Sequence, residues 1–217
     1  MIRVNWGFVD KVVYINLAKR TDRRENIEFQ LKKMAVPPEK IIRFEAIEHD
    51  EGALGCAMSH VAVLTMAKEN DWQNVLILED DMVFNDDDES HDRINYFFSS
   101  LVSTNWDVGF LSGSYFRIAQ IKECFYKASC VYLANSYIVN HHYYDELIDV
   151  FDVSIDQMNK GVNRYECSLD IFWHHLMGRD DWFALYPCVG YQLVDMSDIE
   201  GYITDRVSYF SRTIDEM

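Results

Sequence analysis

Three consecutive carboxylates, Glu79, Asp80 and Asp81, follow directly on the apolar run Val75, Leu76, Ile77 and Leu78, and apolar residues resume at Met82. A short, wholly apolar run suits a strand buried on both faces of a parallel sheet. The C-terminal end of such a strand is where open α/β sheets bind ligands. Side chains alternate along a strand, so Glu79 and Asp81 should share a face and Asp80 should point the other way. Two hard oxygen ligands on one side can hold Mg²⁺ or Mn²⁺ against a diphosphate. The competing reading is a strand end running into a solvated acidic loop, since Asp86, Asp87, Asp88 and Glu89 follow closely. These residues by themselves leave the two readings level. The loop lacks the glycine that an EF-hand's sharp turn needs, which argues against that motif.

A second group is cationic. Asn16, Lys19, Arg20, Arg23 and Arg24 lie between an expected strand and the helix that follows it. Backbone N–H groups at a helix start attract anions, so this loop is a candidate nucleotide-binding element. As mere surface cations, these residues would sit at the unfavourable end of the helix dipole. Further along, Ser59 and His60 fall in the first turns of a helix entered through Gly52 and Gly55. A lone helical histidine is usually structural, so His60 is a weaker candidate. Ser168 is a suitable N-cap and places Asp170 in a first helical turn, where the dipole favours its anion. Asp170 could act as a general base or simply complement the dipole. His174 and His175 cannot face one site, being neighbours on a helix, and read as ordinary residues.

The chain has 217 residues, of which 49% are hydrophobic and 14% aromatic. That suffices for one domain with a sizeable core, here about 11–200, with 201–217 as a surface tail or short final helix. A net charge of −16 argues against a nucleic-acid partner and against anionic lipid. The five cysteines form no C-x-x-C pair, which suits reduced thiols in a cytoplasmic setting better than disulfides or zinc. No signal peptide is visible, and no apolar run reaches the ~20 residues of a membrane helix.

Strands are expected at 11–17, 41–47, 75–78, 107–111 and 131–139, with two short ones in 182–193. The 107–111 strand should end in a small-residue turn at Ser112, Gly113 and Ser114. A helix starts at Thr21 or Asp22, with Asp22 and Glu25 spaced as a capping box, and Ile27, Leu31 and Met34 facing the core. The next helix carries Leu54, Met58, Val61, Ala62 and Thr65 as its apolar stripe. Residues 85–92 read as a solvated loop before a helix at 91–101. A helix at 143–151 is followed by a long polar loop at 154–165. Strand–helix–strand units with short connections predict an α/β fold with an open, mostly parallel sheet.

Several segments, in this order, resemble glycosyltransferase family 25, which groups lipooligosaccharide galactosyltransferases with procollagen galactosyltransferases. They are Tyr14-Ile15-Asn16-Leu17 with Arg20, Asp22 and Arg23; Gly55-Cys56 with Ser59-His60; and Leu78-Glu79-Asp80-Asp81. Weaker matches are Trp106-Asp107-Val108 with Gly113, Ser136-Tyr137-Ile138-Val139, Ser168-Leu169-Asp170, and Gln192 with Ser197-Asp198-Ile199. The resemblance implies a GT-A fold, a UDP-galactose or UDP-glucose donor, Mn²⁺ (or Mg²⁺) and inversion at the anomeric carbon. It implies a glycan or hydroxylysine-type acceptor, and a role in lipopolysaccharide biosynthesis for the bacterial branch. Carried onto this sequence, Asp81 with Glu79 would hold the metal. Asn16, Leu17, Arg20, Arg23, Ser59, His60, Asp80, Gly113 and Gln192 would contact the nucleotide-sugar. Asp170 would be the base, with Asp198 second. Lys19 stands where many members have arginine. Two other classes stay open. One is an inert relative that binds a nucleotide-sugar or a partner. The other is an α/β phosphate-handling enzyme, although no Gly-rich phosphate loop is present.

Overall fold

The computed structural model describes residues 2–217. Six strands form the central sheet: β1 (Lys11–Asn16), β2 (Ile41–Glu45), β3 (Asn74–Glu79), β5 (Val108–Lys122), β6 (Phe125–Asn140) and β7 (Trp182–Leu185). Their spatial order is β2-β1-β3-β6-β5-β7. β1 pairs in parallel with β2 and β3, and β5 with β7, whereas β6 runs antiparallel to its neighbours. Five of the six strands therefore point one way, giving the expected mostly parallel α/β sheet. A two-stranded sheet joins β4 (Met82–Phe84) to β8 (Gly190–Gln192), and another joins β9 (Asp195–Met196) to β10 (Ile203–Thr204).

Helices cover both faces. One apolar core lies between the sheet and α2 (Gly52–Glu69) with α4 (Tyr144–Asn159). The other lies beneath α1 (Thr21–Lys33) and α3 (Asp88–Val102). Three short helices, α5 (Arg164–Cys167), α6 (Leu169–Phe172) and α7 (His174–Arg179), connect α4 to β7. Ile27, Leu31 and Met34 are buried as their spacing requires. Val75, Leu76, Ile77 and Leu78 are fully buried, the expected state of a strand with packing on both faces.

Several local expectations are corrected. α1 has no capping box: Arg20 is the N-cap and Asp22 accepts from the Arg20 guanidinium instead. In α2, Met58, Val61, Ala62 and Thr65 are only partly buried, while Ala57, Ser59, His60, Val63, Leu64 and Ala67 are buried. The helix is wedged between sheet and α4, so nearly its whole circumference is covered and a single stripe does not describe it. The acidic run is not all loop: Asp87 caps α3, its carboxylate accepting from Ser90 N–H at 2.7 Å. Ser112, Gly113 and Ser114 make no turn but lie inside β5, which runs on to Lys122 in a long hairpin with β6. α4 continues to Asn159, through half of the segment expected to be a loop.

At Gly190 the strands β4 and β8 approach too closely for a side chain. A Cβ there would lie 2.3 Å from the Val83 carbonyl oxygen and 2.4 Å from Met82 Cε. The β4–β8 ladder holds Gln192 beside the carboxylates, so this contact matters to the site. Gly190→Ala should lower the melting temperature by about 4–10 °C, from ~1–3 kcal/mol of overpacking. A thermal melt followed by circular dichroism checks this.

Candidate functional site

The C-terminal ends of β1, β2 and β3 open onto one cleft of about 680 Å³. That volume lies within the usual range for small-molecule sites. The floor is the end of β3. The walls come from the loops after β1 and β2, the first turns of α2, part of the β5–β6 hairpin, and the Ser168–Ile171 turn. The segment from Gln192 to Arg212 closes the remaining side.

Glu79, Asp80 and Asp81 all line the cleft. Asp80 accepts from Asn16 Nδ2 at 2.8 Å and from Arg23 at 3.2 Å. Burial raises the Asp80 carboxyl, against the lowering effect of those two donors. Asp81 receives one long contact from Arg23, 3.4 Å, on Oδ2, while Oδ1 is buried without a hydrogen-bond partner. Burial first, then the charge of Glu79, pushes Asp81 up to about 8. Burial also raises Glu79, but His60, Arg23 and Arg206 outweigh it and the net shift is downward. Glu79 Oε2 accepts from Gln192 Nε2 at 3.1 Å. Its Oε1 lies 3.8 Å from both Cys56 Sγ and His60 Nε2. A half-buried carboxylate pair with one buried, unpartnered oxygen is a set of hard donors that a divalent cation satisfies.

The cationic loop divides its work. Asn16 is buried under the cleft, donating to Asp80 and to the Arg20 carbonyl at 3.0 Å. Leu17, Lys19 and Arg23 reach the lining. Arg20 does not. Its guanidinium donates to Asp22, Asp195, Asp198 and the Met196 carbonyl. It therefore clamps the C-terminal segment to the α1 start, where the sequence reading placed it on the nucleotide. Arg23 shares that duty, donating to Asp195 and Met196 as well as to Asp80.

Ser59 and His60 both line the cleft and are both buried. Ser59 Oγ accepts from Ile47 N–H at 2.8 Å and donates to the Gly55 carbonyl at 2.7 Å. It pins the loop after β2 to α2. Gly55 permits this approach, because a Cβ there would lie 2.5 Å from the Ile47 carbonyl oxygen. His60 Nδ1 is 2.7 Å from the Tyr137 hydroxyl, and Nε2 has no hydrogen-bond partner.

Asp170 faces the cleft from the first turn of α6. Oδ2 accepts from Leu133 N–H at 3.1 Å and Oδ1 from Ser168 Oγ at 2.7 Å. Leu133 has φ +67°, unusual for leucine, so the carboxylate braces a strained point within β6. Asp198 also reaches the cleft, but its oxygens are paired with Arg20 at 2.6 Å and approached by Lys19 at 3.9 Å. Gln192 lines the cleft; Gly113 does not. Gly113 packs within β5, where a Cβ would lie 2.7 Å from Val131 Cγ1, and its neighbour Ser114 faces the cleft instead. His174 and His175 each contact a backbone carbonyl, as ordinary residues do.

Sequence reasoning missed the end of the chain. Residues 202–217 are not a free tail: Arg206, Tyr209 and Arg212 line the cleft. Arg212 donates to Ser114 Oγ at 2.9 Å, and its guanidinium lies 3.9 Å from the Phe116 ring centroid and 5.0 Å from that of Tyr209. Three arginines, at 164, 206 and 212, thus enter an acidic cleft from segments with no motif of their own. One aromatic, Tyr209, set three residues from both Arg206 and Arg212, was the local hint.

Residues 50–155 match the model of glycosyltransferase family 25 (LPS biosynthesis protein). This bears out the resemblance read from the sequence motifs. A search of curated proteins gives no match. Among solved structures, the chain resembles a glycosyltransferase involved in the glycosylation of the major capsid of PBCV-1. That likeness has 10% identity and a TM-score of 0.51, covering 93% of this chain and 97% of that one. It also resembles a UDP-glucose pyrophosphorylase complexed with UDP-glucose, at 14% identity and a TM-score of 0.50, covering 93% and 80%. The architecture is GT-A-like. Among the described residues, no helix is long and apolar enough to cross a membrane.

Proposed function

We propose, with the family 25 segment at residues 50–155 as premise, that the chain is a metal-dependent inverting hexosyltransferase. It would move galactose or glucose from a UDP-sugar to a hydroxyl of a glycan or hydroxylysine-type acceptor. The observation that carries this reading is the Glu79–Asp81 cluster at the end of β3, with Asp81 Oδ1 buried and unpartnered beside the cleft.

Asp81 and Glu79 would hold Mn²⁺ or Mg²⁺, which when bound stabilises a departing diphosphate as a Lewis acid. Arg206 lies near enough to favour the ionised form of both carboxyls and stands in the same cleft as the departing charge. Asp80, held by Asn16 and Arg23, would fix the loop that carries Asp81 rather than reach ligand. Asp170 would accept the acceptor hydroxyl's proton. Its two hydrogen-bond donors are neutral, whereas Asp198 is tied up by Arg20, so Asp170 is the better base.

The test is a thermal-shift screen of nucleotide-sugars with and without Mn²⁺. A donor at about a hundred times its Kd should raise the melting temperature by roughly 5–10 °C, and only with metal present. Release of free UDP on adding an acceptor would complete the case. Release of sugar 1-phosphate in place of UDP would point to nucleotidyl transfer. No stabilisation by any nucleotide-sugar would overturn the reading.

A further inference from the structure

Cys56, His60 and Glu79 offer three metal-ligating atoms within 4.8 Å of one another at the inner end of the cleft. Cys56 and His60 lie one turn apart on α2 and so share a face, and Glu79 comes from the adjacent end of β3. The sequence hides this set. It has no paired-cysteine spacing, and the third ligand lies on another element.

We propose that these residues form a site for Zn²⁺ that shares Glu79 with the oxygen site but not Asp81, and is assembled from one thiolate, one imidazole and one carboxylate. Four observations carry it. His60 is fully buried, yet its Nε2 has no hydrogen-bond partner and lies beside Glu79. Its Nδ1 is engaged by the Tyr137 hydroxyl at 2.7 Å, the arrangement that orients a metal-bound imidazole. The Glu79 Oε1 separations from Sγ and Nε2 are both 3.8 Å. A tetrahedral zinc with ordinary bond lengths sets its ligand atoms about 3.4–3.6 Å apart, and the three atoms here already lie within 4.8 Å of one another, so closure needs side-chain rotation without backbone movement. Finally, Cys56, His60 and Glu79 all line the cleft, which leaves the fourth coordination position facing it. That position would take an anionic oxygen or water, the pattern of zinc sites with an open place.

The donor set selects the ion. A thiolate and an imidazole favour Zn²⁺ over Mn²⁺ or Mg²⁺, which take oxygen ligands. On binding, Cys56 gives its thiol proton to solvent and the metal–sulfur bond takes its place. Without a metal, Cys56 makes only a weak 3.8 Å contact with Glu79, and the histidine nitrogen stays buried and unpartnered.

The inference does not rest on sugar transfer, and its test reads metal directly. The purified full chain, stripped with chelator, is titrated with Co²⁺. Expected are intense tetrahedral visible bands and a near-ultraviolet thiolate-to-cobalt charge-transfer band, displaced by one equivalent of Zn²⁺. Cys56→Ser should abolish the charge-transfer band, whereas Cys130→Ser should keep it. Glu79→Gln should weaken Co²⁺ at least about tenfold. Asp81→Asn should leave the cobalt spectrum unchanged, which separates this site from the oxygen site. Weak octahedral absorption alone, or a charge-transfer band that survives in a folded Cys56→Ser protein, would overturn the proposal. Should Cys56→Ser fail to fold, Zn²⁺ protection of Cys56 from alkylation, mapped by peptide mass, decides in its place: protection supports the site and equal labelling refutes it.

Discussion

Asp81→Asn should raise the melting temperature of the metal-free protein by about 3 °C or more near pH 8–9, and remove its stabilisation by Mn²⁺. Burial, with Glu79 and Asp80 beside it, pushes the Asp81 carboxyl up to about 8. Its pKa is thus raised well above the unfolded value of about 3.9. A group raised in the folded state contributes stability that is fully present below its unfolded pKa. That contribution is lost as pH rises through the folded pKa. The metal-free protein should therefore weaken progressively from about pH 4 up to about pH 8, as keeping the folded carboxyl neutral grows costlier and a second negative charge finally appears beside Glu79. Asparagine carries no charge at any of these values and escapes the loss. A divalent ion replaces the missing proton, so Mn²⁺ should stabilise the unaltered chain more strongly at about pH 9 than at about pH 6. Melts at both values, with and without Mn²⁺, read all of this. An Asn variant that still gains the full Mn²⁺ shift would remove Asp81 from the metal site.

The same cluster marks how far the sequence could be read. Val75 to Leu78 gave the buried strand, and the carboxylates after it gave the cleft floor, because both are local patterns. α2 misled, because burial on nearly every side leaves no periodicity to detect, and its functional residues are among the most deeply covered. Gly113 misled in another way. A small-residue triplet reads as a turn, but here it lets Val131 and Tyr115 pack closely inside a long hairpin. Arg20 was placed on an anion by its position at a helix start. The anions it meets are its neighbour Asp22 and, over 170 residues further along the chain, Asp195 and Asp198. That pairing holds the segment 195–198 against the α1 start and brings Arg206 and Arg212 to the cleft. No local pattern encodes such a contact, since it exists only once the β4–β8 pairing has brought the late segment back beside the end of β3. The Cys56–His60–Glu79 set was illegible for the same reason.

Asp170→Asn should lower sugar-transfer turnover by roughly 10²–10⁴-fold while leaving nucleotide affinity unchanged. The substitution is close to isosteric. The amide oxygen can still accept from Leu133 N–H, and the amide nitrogen can donate to Ser168 Oγ. The backbone at Leu133, held at positive φ, should therefore survive, and the melting temperature should stay within about 2 °C. Asp170→Ala is the contrasting variant. It frees the Leu133 N–H in a partly buried place and should cost about 1–3 kcal/mol, read as a lower melting temperature on top of the same loss of turnover. The pair separates chemistry from scaffolding. A base predicts that both variants are inactive and only Ala is unstable. A residue that merely braces β6 at Leu133 predicts that Asn keeps its turnover and that activity falls only with stability. Calorimetric titration of UDP with Mn²⁺ completes the comparison, because weakened binding in the Asn variant would place Asp170 on the donor rather than on the acceptor hydroxyl. With binding intact and turnover lost, the proton must pass through this carboxylate, since Asp198 is already held by Arg20.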